Sequence, residues 1–497
     1  MKTPGISSQT CNRGIKKEPY SPLPHQQTVV DYFKTSVHKG LLLFHQLGSG
    51  KTCTAIYTAD SMLQSNLVSK VFILSPGNLR KTWVDEYCKK CGLNNEYIRD
   101  KIVFITYNFN IEKSVSHFDF NNSLVIIDET HNLINGVKNQ SKNPLSLYNK
   151  ILNSDCKVLA LSGTPIYKSI DEFLILGKIL KVDEFNNIED ITNPDKLSEI
   201  ISFYPGSSSE YYPRVIMKKP FKILMTDKQL EKFNKINNFE IRTRMAGMPK
   251  KGIKDYIIVY QRWMLAIKYM SSRQVSNFFY DDVDIINTEK VKKRLEDKRT
   301  ENGGWINSGL FKNKDLLKRF SPKFTCLFVN IIMHWNSKHV LLTTFKDKSG
   351  VKLIHSILSL CGITSVIYSG DINDTERDRI LTKFNDPNNR QGQIVKILLL
   401  TEAGIEGISI KEAQHFHILE TSTVPNKTKQ GIGRVVRFRS HIDMPIKERY
   451  VNIWKYWSVT SLDEKEDKGV DSILYKKGLK SSKVVENFFE ILKKQTL

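Results

Sequence analysis

Short apolar runs recur along this chain, each closed by a polar or glycine turn and followed by a stretch with helical spacing. In the first third they are Leu41–Phe44, Lys70-VFILSP, Ile102-VFITY, Ser123-LVII and Val158-LALS. Uninterrupted runs rich in β-branched and aromatic residues read as strands buried on both faces of a parallel sheet. Ahead of the first run, Val29, Val30, Tyr32 and Phe33 predict an amphipathic helix. The alternation lapses between residues 181 and 320 and resumes at Ser321-Pro-Lys. The second block reads as strand Val340-LLTTF, helix Val351–Cys361, strand Thr364-SVIYSG, helix Asp374–Phe384 and strand Ile397-LLLT, with a later strand in ERYVNIWKYW. The expectation is an α/β chain of two parallel-sheet domains in tandem, residues 21–180 and 321–460, separated by a basic, mostly helical insert, 181–320. Residues 1–20 read as a flexible lead-in. The amphipathic tail 461–497 is expected to dock on the second domain.

Charge sharpens the picture. The 497 residues carry a formal net charge of +23. Between Pro213 and Lys323 stand 26 Lys or Arg against 12 Asp or Glu, so most of the excess lies in the insert. A concentrated cationic surface binds phosphates through counterion release and points to a nucleic-acid partner. Aromatics are interleaved with that charge: Tyr256, Tyr260, Trp263, Tyr269, Phe278, Phe279 and Tyr280. They could stack on bases. The near-helical spacing of Ile257, Val259, Trp263 and Ile267 favours a helical core for this region instead. The charged run Val291–Arg299 and the pair Gly303-Gly304 read as a surface loop. No segment has the apolar length of a signal peptide or a bilayer span, so no membrane role is expected. Seven cysteines without repeating spacing fit a reducing, intracellular setting. Cys88-Lys-Lys-Cys91 is the only close pair; a zinc site needs a second pair, none follows, and no zinc is expected there.

The candidate chemistry sits at the ends of the predicted strands. After Leu41–Phe44 comes Gly48-Ser49-Gly50-Lys51-Thr52, leading into a helix. Strand, glycine loop and helix N-terminus form the arrangement that cradles a nucleoside triphosphate. Lys51 would reach the β- and γ-phosphates, and the Thr52 hydroxyl would ligate Mg2+. The strict loop pattern wants a glycine where this chain has His45. Gln26, 25 residues before Lys51, could read an adenine edge with its amide. Asp128-Glu129-Thr130-His131 closes a buried strand, where acids are costly unless they face a site. Asp128 is the candidate metal ligand and Glu129 the candidate base for the attacking water. Ser162 and Thr164, in a Ser-Gly-Thr-Pro turn at the next strand end, could sense the γ-phosphate. In the second block, Gly404 and Gly407 make a turn that backbone phosphate could approach. Arg434 and Arg437, spaced i,i+3, would leave one face of a helical turn together. Such arginines can neutralise a transferring phosphoryl group, worth roughly 10³–10⁵ in rate.

The ordered set LGSGKT, ILSPGNL, DETH, SGTP, TEAGIEGISI and QGIGRVVR resembles the motor domains of superfamily 2 helicases and translocases. FHQLGSGKT, VIIDETHN and the continuation RFRSHIDMP are similar to the poxvirus-type transcription ATPases, the branch that includes the poxvirus nucleoside triphosphatase and the early transcription factor small subunit. PFKILMTDKQLEKF and SSRQVSNFF resemble segments of the double-strand translocases related to chromatin remodellers. The resemblance implies two RecA-like domains with ATP and Mg2+ between them. It implies Gln26 as the adenine-reading glutamine, Gly407 and Gln430 as nucleotide contacts, and His131, Ser162 and Thr164 as coupling residues. One departure is Thr423-Val424-Pro425, where the family commonly has tryptophan-asparagine-proline before its sixth motif. The first expectation is an ATPase translocating on DNA, favoured over RNA, as a viral transcription factor with a viral RNA polymerase as possible partner. A strand-separating helicase and a binding subunit with a vestigial ATPase are the alternatives. The viral reading also implies the host cytoplasm or virus factory, and the virion.

Overall fold

The computed structural model describes residues 21–46, 48–91, 100–107, 118–166, 169–181, 184–206, 209–249, 256–279, 317–405, 408–422 and 425–495. It divides into two compact units: residues 1–208 with 480–497, and residues 209–479.

The first unit is built on six strands: β1 (Gly40–His45), β2 (Lys70–Ser75), β3 (Ile102–Thr106), β4 (Ser123–Ile127), β5 (Cys156–Ser162) and β6 (Ile201–Tyr204). They lie side by side as β3-β2-β4-β5-β1-β6. Every pairing is parallel; Gly40 faces Val158, and Phe44 faces Ser162. Parallel neighbours require crossover helices, which cover both faces and bury each strand. Leu41, Leu43, Val71, Ile73, Leu124 and Ile126 point into one core with Val29 and Phe33 of the Pro24–Thr35 helix. Leu42, Phe44, Leu74, Val125 and Ile127 point into the other. That second core also takes Val485, Phe488, Phe489 and Leu492 from the C-terminal helix Val470–Lys494. Phe489 lies 5.0 Å from the Phe44 ring, and Phe488 lies 5.2 Å from Phe173. The end of the tail therefore completes the first unit, whereas the sequence suggested docking on the second domain. An apolar stripe specifies that it must be covered, not by which sheet.

The second unit has seven strands: β7 (Arg214–Met217), β8 (Phe221–Leu224), β9 (Lys338–Thr343), β10 (Ser365–Tyr368), β11 (Ile397–Thr401), β12 (Ala413–Ile418) and β13 (Tyr450–Val459). Their order is β10-β11-β9-β12-β13-β7, with β8 pairing further along β13. All pairs are again parallel. The start of the basic insert thus supplies two edge strands, and its helical part follows. Helix Asp227–Met245 packs on Met270–Asn277 through Gln229, whose Nε2 donates to the carbonyls of Val275 (2.7 Å) and Ser276 (3.3 Å). In this way the two segments that resemble remodeller-type translocases hold each other. Tyr269, Phe278 and Phe279 are buried, as a core reading requires. Val259, expected in that core, is 37% exposed on the Tyr256–Ile267 helix, beside Ile258 and Leu265. Tyr280, the 291–299 run and Gly303-Gly304 lie outside the described residues.

Polar residues hold the second unit together where apolar ones do not. Lys323 is fully buried and donates to Asp471 Oδ2 (2.8 Å), Asn277 Oδ1 (3.1 Å) and the Leu419 carbonyl (3.1 Å). Asp471 also accepts from the backbone amides of Thr421 and Ser458, at 2.8 and 3.0 Å. On β9 and β12, the buried rings of His339, His415 and His417 stack against one another. His339 Nδ1 lies 3.0 Å from His417 Nε2, the Trp454 indole donates to His415, and His417 is hydrogen-bonded to the Tyr456 hydroxyl. Burial drives the His339 pKa down to about 3 and His415 to about 2, so these rings are neutral. Among the described residues, no helix is long and apolar enough to cross a membrane.

Candidate functional site

Strand β1 ends at His45, and helix Lys51–Gln64 begins six residues on. Gly48 and Gly50 stand in the turn at φ +82° and +83°, a conformation in which side chains are strained. Gly50 has no room either: a Cβ there would lie 2.7 Å from Gln26 Nε2. The helix starts with no side-chain cap and no acidic residue in its first turn. Its first amides and the positive end of its dipole are therefore left for an anion. Ser49 Oγ is buried in the same turn without a hydrogen-bond partner. Lys51 Nζ donates to the carbonyls of His45 (2.8 Å) and Gln46 (3.1 Å), within the loop it belongs to. These features fit a polyphosphate.

His45 shows why the loop tolerates a histidine. Its ring is buried, with Nε2 2.9 Å from Ser202 Oγ on β6. Burial, followed by the charge of Lys51 and His25, holds its pKa down to about 3. The neutral side chain packs inside the sheet, and the loop uses only the residue's carbonyl. Gln26 is 1% exposed, and both ends of its amide are engaged: Oε1 accepts from Leu23 N (2.9 Å), and Nε2 donates to the Gly50 carbonyl (3.3 Å). His25 Nε2 lies 3.1 Å from the Ser49 carbonyl, and its ring stacks on Tyr204 at 3.6 Å. Neither His25 nor Tyr204 carries a recognisable pattern in the sequence.

The acids follow β4. Asp128 Oδ2 accepts from the Trp83 indole (2.8 Å), Oδ1 accepts from Glu129 N (2.9 Å), and the Tyr107 hydroxyl donates to the Asp128 carbonyl (2.9 Å). Burial and then the Glu129 charge push the Asp128 pKa up to about 7, against the pull of Trp83 and of the Lys51 charge. A buried carboxylate held up by burial and by an adjacent acid is a donor that suits a divalent cation. Glu129 holds φ at +49°, and His131 Nδ1 lies 3.5 Å from its Oε2. Strain of that kind persists where surrounding structure holds it, characteristically at functional sites. Thr130 ties this turn to β5, donating its hydroxyl to the Leu161 carbonyl (2.9 Å). One residue on, the buried Ser162 Oγ accepts from Thr164 N (3.0 Å). Thr52 sits in the first turn of its helix, one residue after Lys51.

In the second unit, Arg434 and Gln430 lie buried on helix Pro425–Val435. The helix stops at Val435, so Arg437 falls beyond it, and its Nη1 donates to the Ile408 carbonyl (3.1 Å). The shared helical face expected from i,i+3 spacing does not form. Gly404 is demanded by packing: a Cβ there would stand 2.9 Å from the Tyr368 carbonyl. Gly407 lies outside the described residues.

A family model described as "Type III restriction enzyme, res subunit" matches residues 19–167, and "Helicase conserved C-terminal domain" matches 322–439. The chain is a superfamily 2 helicase-type protein. Among curated relatives, nucleoside triphosphatase I of Heliothis armigera entomopoxvirus is 26% identical over 93% of this chain and 77% of its own length. The termination factor NPH-I homolog of African swine fever virus (isolate Tick/Malawi/Lil 20-1/1983) is 24% identical over 92% of this chain and 76% of its own. The Pyrococcus furiosus Hef helicase domain matches with a TM-score of 0.49 and 16% identity over 92% of this chain and 98% of that one. Within the superfamily 2 pattern, the first unit brings the Gln26 amide from the Pro24–Thr35 helix onto the turn of Gly48, Ser49, Gly50 and Lys51, with Asp128 within reach of the Lys51 charge. Trp83, Tyr107 and Thr130 are the supporting residues that sequence reasoning missed. Trp83 stands on the helix after ILSP, where nothing in the sequence marks an indole as a carboxylate partner.

Proposed function

We propose that this chain couples ATP hydrolysis to movement along nucleic acid during viral transcription, as an initiation, release or termination factor. It is an ATP-hydrolysing enzyme of superfamily 2, and nucleic acid is its partner. The observation that carries the reading is the uncapped helix behind Gly50, together with the Asp128–Glu129 pair under the influence of Lys51. Gly48, Ser49 and Gly50 receive the phosphates by their backbone, and Lys51 leaves its loop carbonyls for the β- and γ-oxygens. Thr52 and Asp128 would hold Mg2+, which supplies neutralisation of phosphate charge when bound. Glu129 accepts the proton of the attacking water, and His131 fixes the Glu129 carboxylate. Ser162 and Thr164 pass the state of this site to the rest of the sheet. Gln26 seats the loop and turns to the base; the role of stabilising the transferring phosphoryl group falls to Arg434 and Arg437, and that of nucleotide contacts to Gln430 and Gly407, on the superfamily 2 pattern.

The name of the African swine fever virus relative, a termination factor homolog, supports a transcription role. The basic insert supports a phosphate-backbone track, with duplex DNA as the preferred polymer and a viral RNA polymerase as partner. The test is ATP turnover with single- and double-stranded DNA and RNA, paired with strand displacement from tailed duplexes. Stimulation by duplex DNA without displacement is expected; efficient displacement would reassign the chain as a helicase. Glu129→Gln should lower turnover by roughly 10²–10⁴ while ATP still binds. Undiminished turnover would remove Glu129 from its role and, with wild-type turnover also insensitive to nucleic acid, the proposal with it.

A further inference from the structure

The helical part of the insert carries a groove that the nucleotide site does not use. Helix Asp227–Met245 buries Gln229, Phe233, Asn237 and Glu240. A neighbouring stripe, Lys232, Lys235, Ile236 and Phe239, recurs at i, i+3, i+4 and i+7 and lines a cavity of about 400 Å³. Helix Tyr256–Ile267 brings Arg262 and Leu265, one turn apart, to the same cavity. Phe239 is 59% exposed and Leu265 is 50% exposed; Ile258, one turn before Arg262 on the same helical face, is 49% exposed. Single apolar side chains in water are ordinary. Several that converge on one concavity rimmed by charge mark an interaction site.

The rim is cationic. Lys232, Lys235, Arg262 and, from the turn after β9, Lys348 border the cavity, and among the described residues the one acid lining it is Glu240. Glu240 is engaged within its own fold: Oε1 accepts from Ser271 N (2.9 Å), and Oε2 accepts from the Ser272 hydroxyl. Lys235 also meets Glu231 at 2.7 Å, an exposed i,i+4 pair of the kind that water screens. The groove therefore presents an apolar floor under a rim of one sign.

We propose that this groove receives an acidic amphipathic helix of a partner protein, with its apolar side chains in the cavity and its carboxylates against the four cations. Amphipathic helices dock into apolar grooves through anchors at this spacing, and opposite charge at the rim fixes orientation and speeds encounter. A phosphate backbone would answer the cations but leave Phe239, Leu265 and Ile258 in water. Aliphatic side chains also lack the π-face on which a base stacks. A polypeptide of the stated chemistry answers both halves of the groove. Every lining residue belongs to the second unit. Part of the insert's charge is thereby assigned to a protein partner rather than to nucleic acid.

The probe is a fluorescein-labelled synthetic helix of about 16 residues, with Leu and Phe along one face and Glu on its flanks. In fluorescence anisotropy with the intact chain it should bind about tenfold more tightly than a peptide of the same composition in scrambled order. The same helix with Lys in place of Glu should not bind. Phe239→Ser and Leu265→Ser, both at exposed positions, should each weaken binding about tenfold. Arg262→Glu, on the rim, should weaken it too and covers the case in which an apolar variant fails to fold. Saturating duplex DNA should leave the helix bound. Equal affinity for the patterned and scrambled peptides, binding of the Lys version, or full affinity in all three variants would overturn the proposal. Displacement of the helix by duplex DNA would assign the groove to nucleic acid and overturn it as well. None of these readouts depends on ATP turnover, so the groove stands or falls separately from the proposed function.

Discussion

Gly50 and Gln26 are coupled strongly enough for the coupling to be measured. Gly50 sits at φ +83°, and a methyl group there would come within 2.7 Å of Gln26 Nε2. Gly50→Ala therefore carries two costs. The left-handed backbone costs about 1–2 kcal/mol for any residue with a Cβ. Displacing the Gln26 amide forfeits its hydrogen bond to the Gly50 carbonyl, about 1 kcal/mol for a neutral pair. The single substitution should destabilise the nucleotide-free first unit by about 2–3 kcal/mol. In a Gln26→Ala background the amide is gone, and the same substitution should cost only the backbone component, about 1–2 kcal/mol. The double-mutant cycle then closes with a coupling of about 1 kcal/mol, above the ~0.3–0.5 kcal/mol within which independent sites add. Urea unfolding of wild type, both single variants and the double variant, without nucleotide, supplies the four corners. Additive costs would show that Gln26 does not rest on the phosphate loop. The link from adenine to phosphates through that amide would fall with it.

Two further outcomes follow from the second unit. The folded-state pKa values of His339, His415 and His417 all lie below the ordinary histidine value, chiefly through burial. Their contribution to stability is complete above about pH 6.5 and is lost as pH falls, because the unfolded chain takes up protons that the fold refuses. Each ring should cost about 1.4 kcal/mol at pH 5.5. The buried Glu240 and Glu420, whose pKa values burial raises, oppose part of that loss. Urea midpoints should drop between pH 6.5 and 5.5, less steeply in His417→Asn; a flat profile would contradict the neutral stack. Separately, Asp471→Ala leaves the Lys323 ammonium buried without its carboxylate and should cost about 3–5 kcal/mol, read from the shift in thermal unfolding. Lys323→Met added to Asp471→Ala should recover part of that, though the amides of Thr421 and Ser458 stay unsatisfied. No recovery would mean that the ammonium is not the source of the cost.

What could be read from the residues was what burial on two faces writes into them. β1 to β5 and β9 to β11 appear as short apolar runs, and β13 as an aromatic and aliphatic run broken by Asn452 and Lys455, because a parallel strand under two helical layers has no solvent side. β12, Ala413-Gln-His-Phe-His-Ile418, escaped that reading although it lies between β9 and β13. Its two histidines look polar in sequence and become neutral core rings only when stacked on a third. β6 and β7 are four residues long and sit at sheet edges, too short for periodicity to register. At the nucleotide site, the glycines, Lys51 and the Asp128–Glu129 pair were legible because phosphate and metal chemistry restrict the residue types. Trp83 and Tyr107 were not, because many residues can donate a hydrogen bond and only packing selects one. Arg437 was misplaced for a related reason: i,i+3 spacing implies a shared face only while the helix continues, and this one ends at Val435.

The four side chains between Val485 and Leu492 that close the first unit's core come more than two hundred and fifty residues after the rest of that unit. On a nascent chain the ATP-binding half emerges early with an open apolar wall. That wall stays uncovered while more than two hundred and fifty further residues are made. Domains ordinarily fold in order of synthesis; this one must wait for residues 480–497. A recombinant fragment cut at residue 208 would inherit the same gap permanently, and supplying 480–497 as a separate peptide is the natural way to fill it.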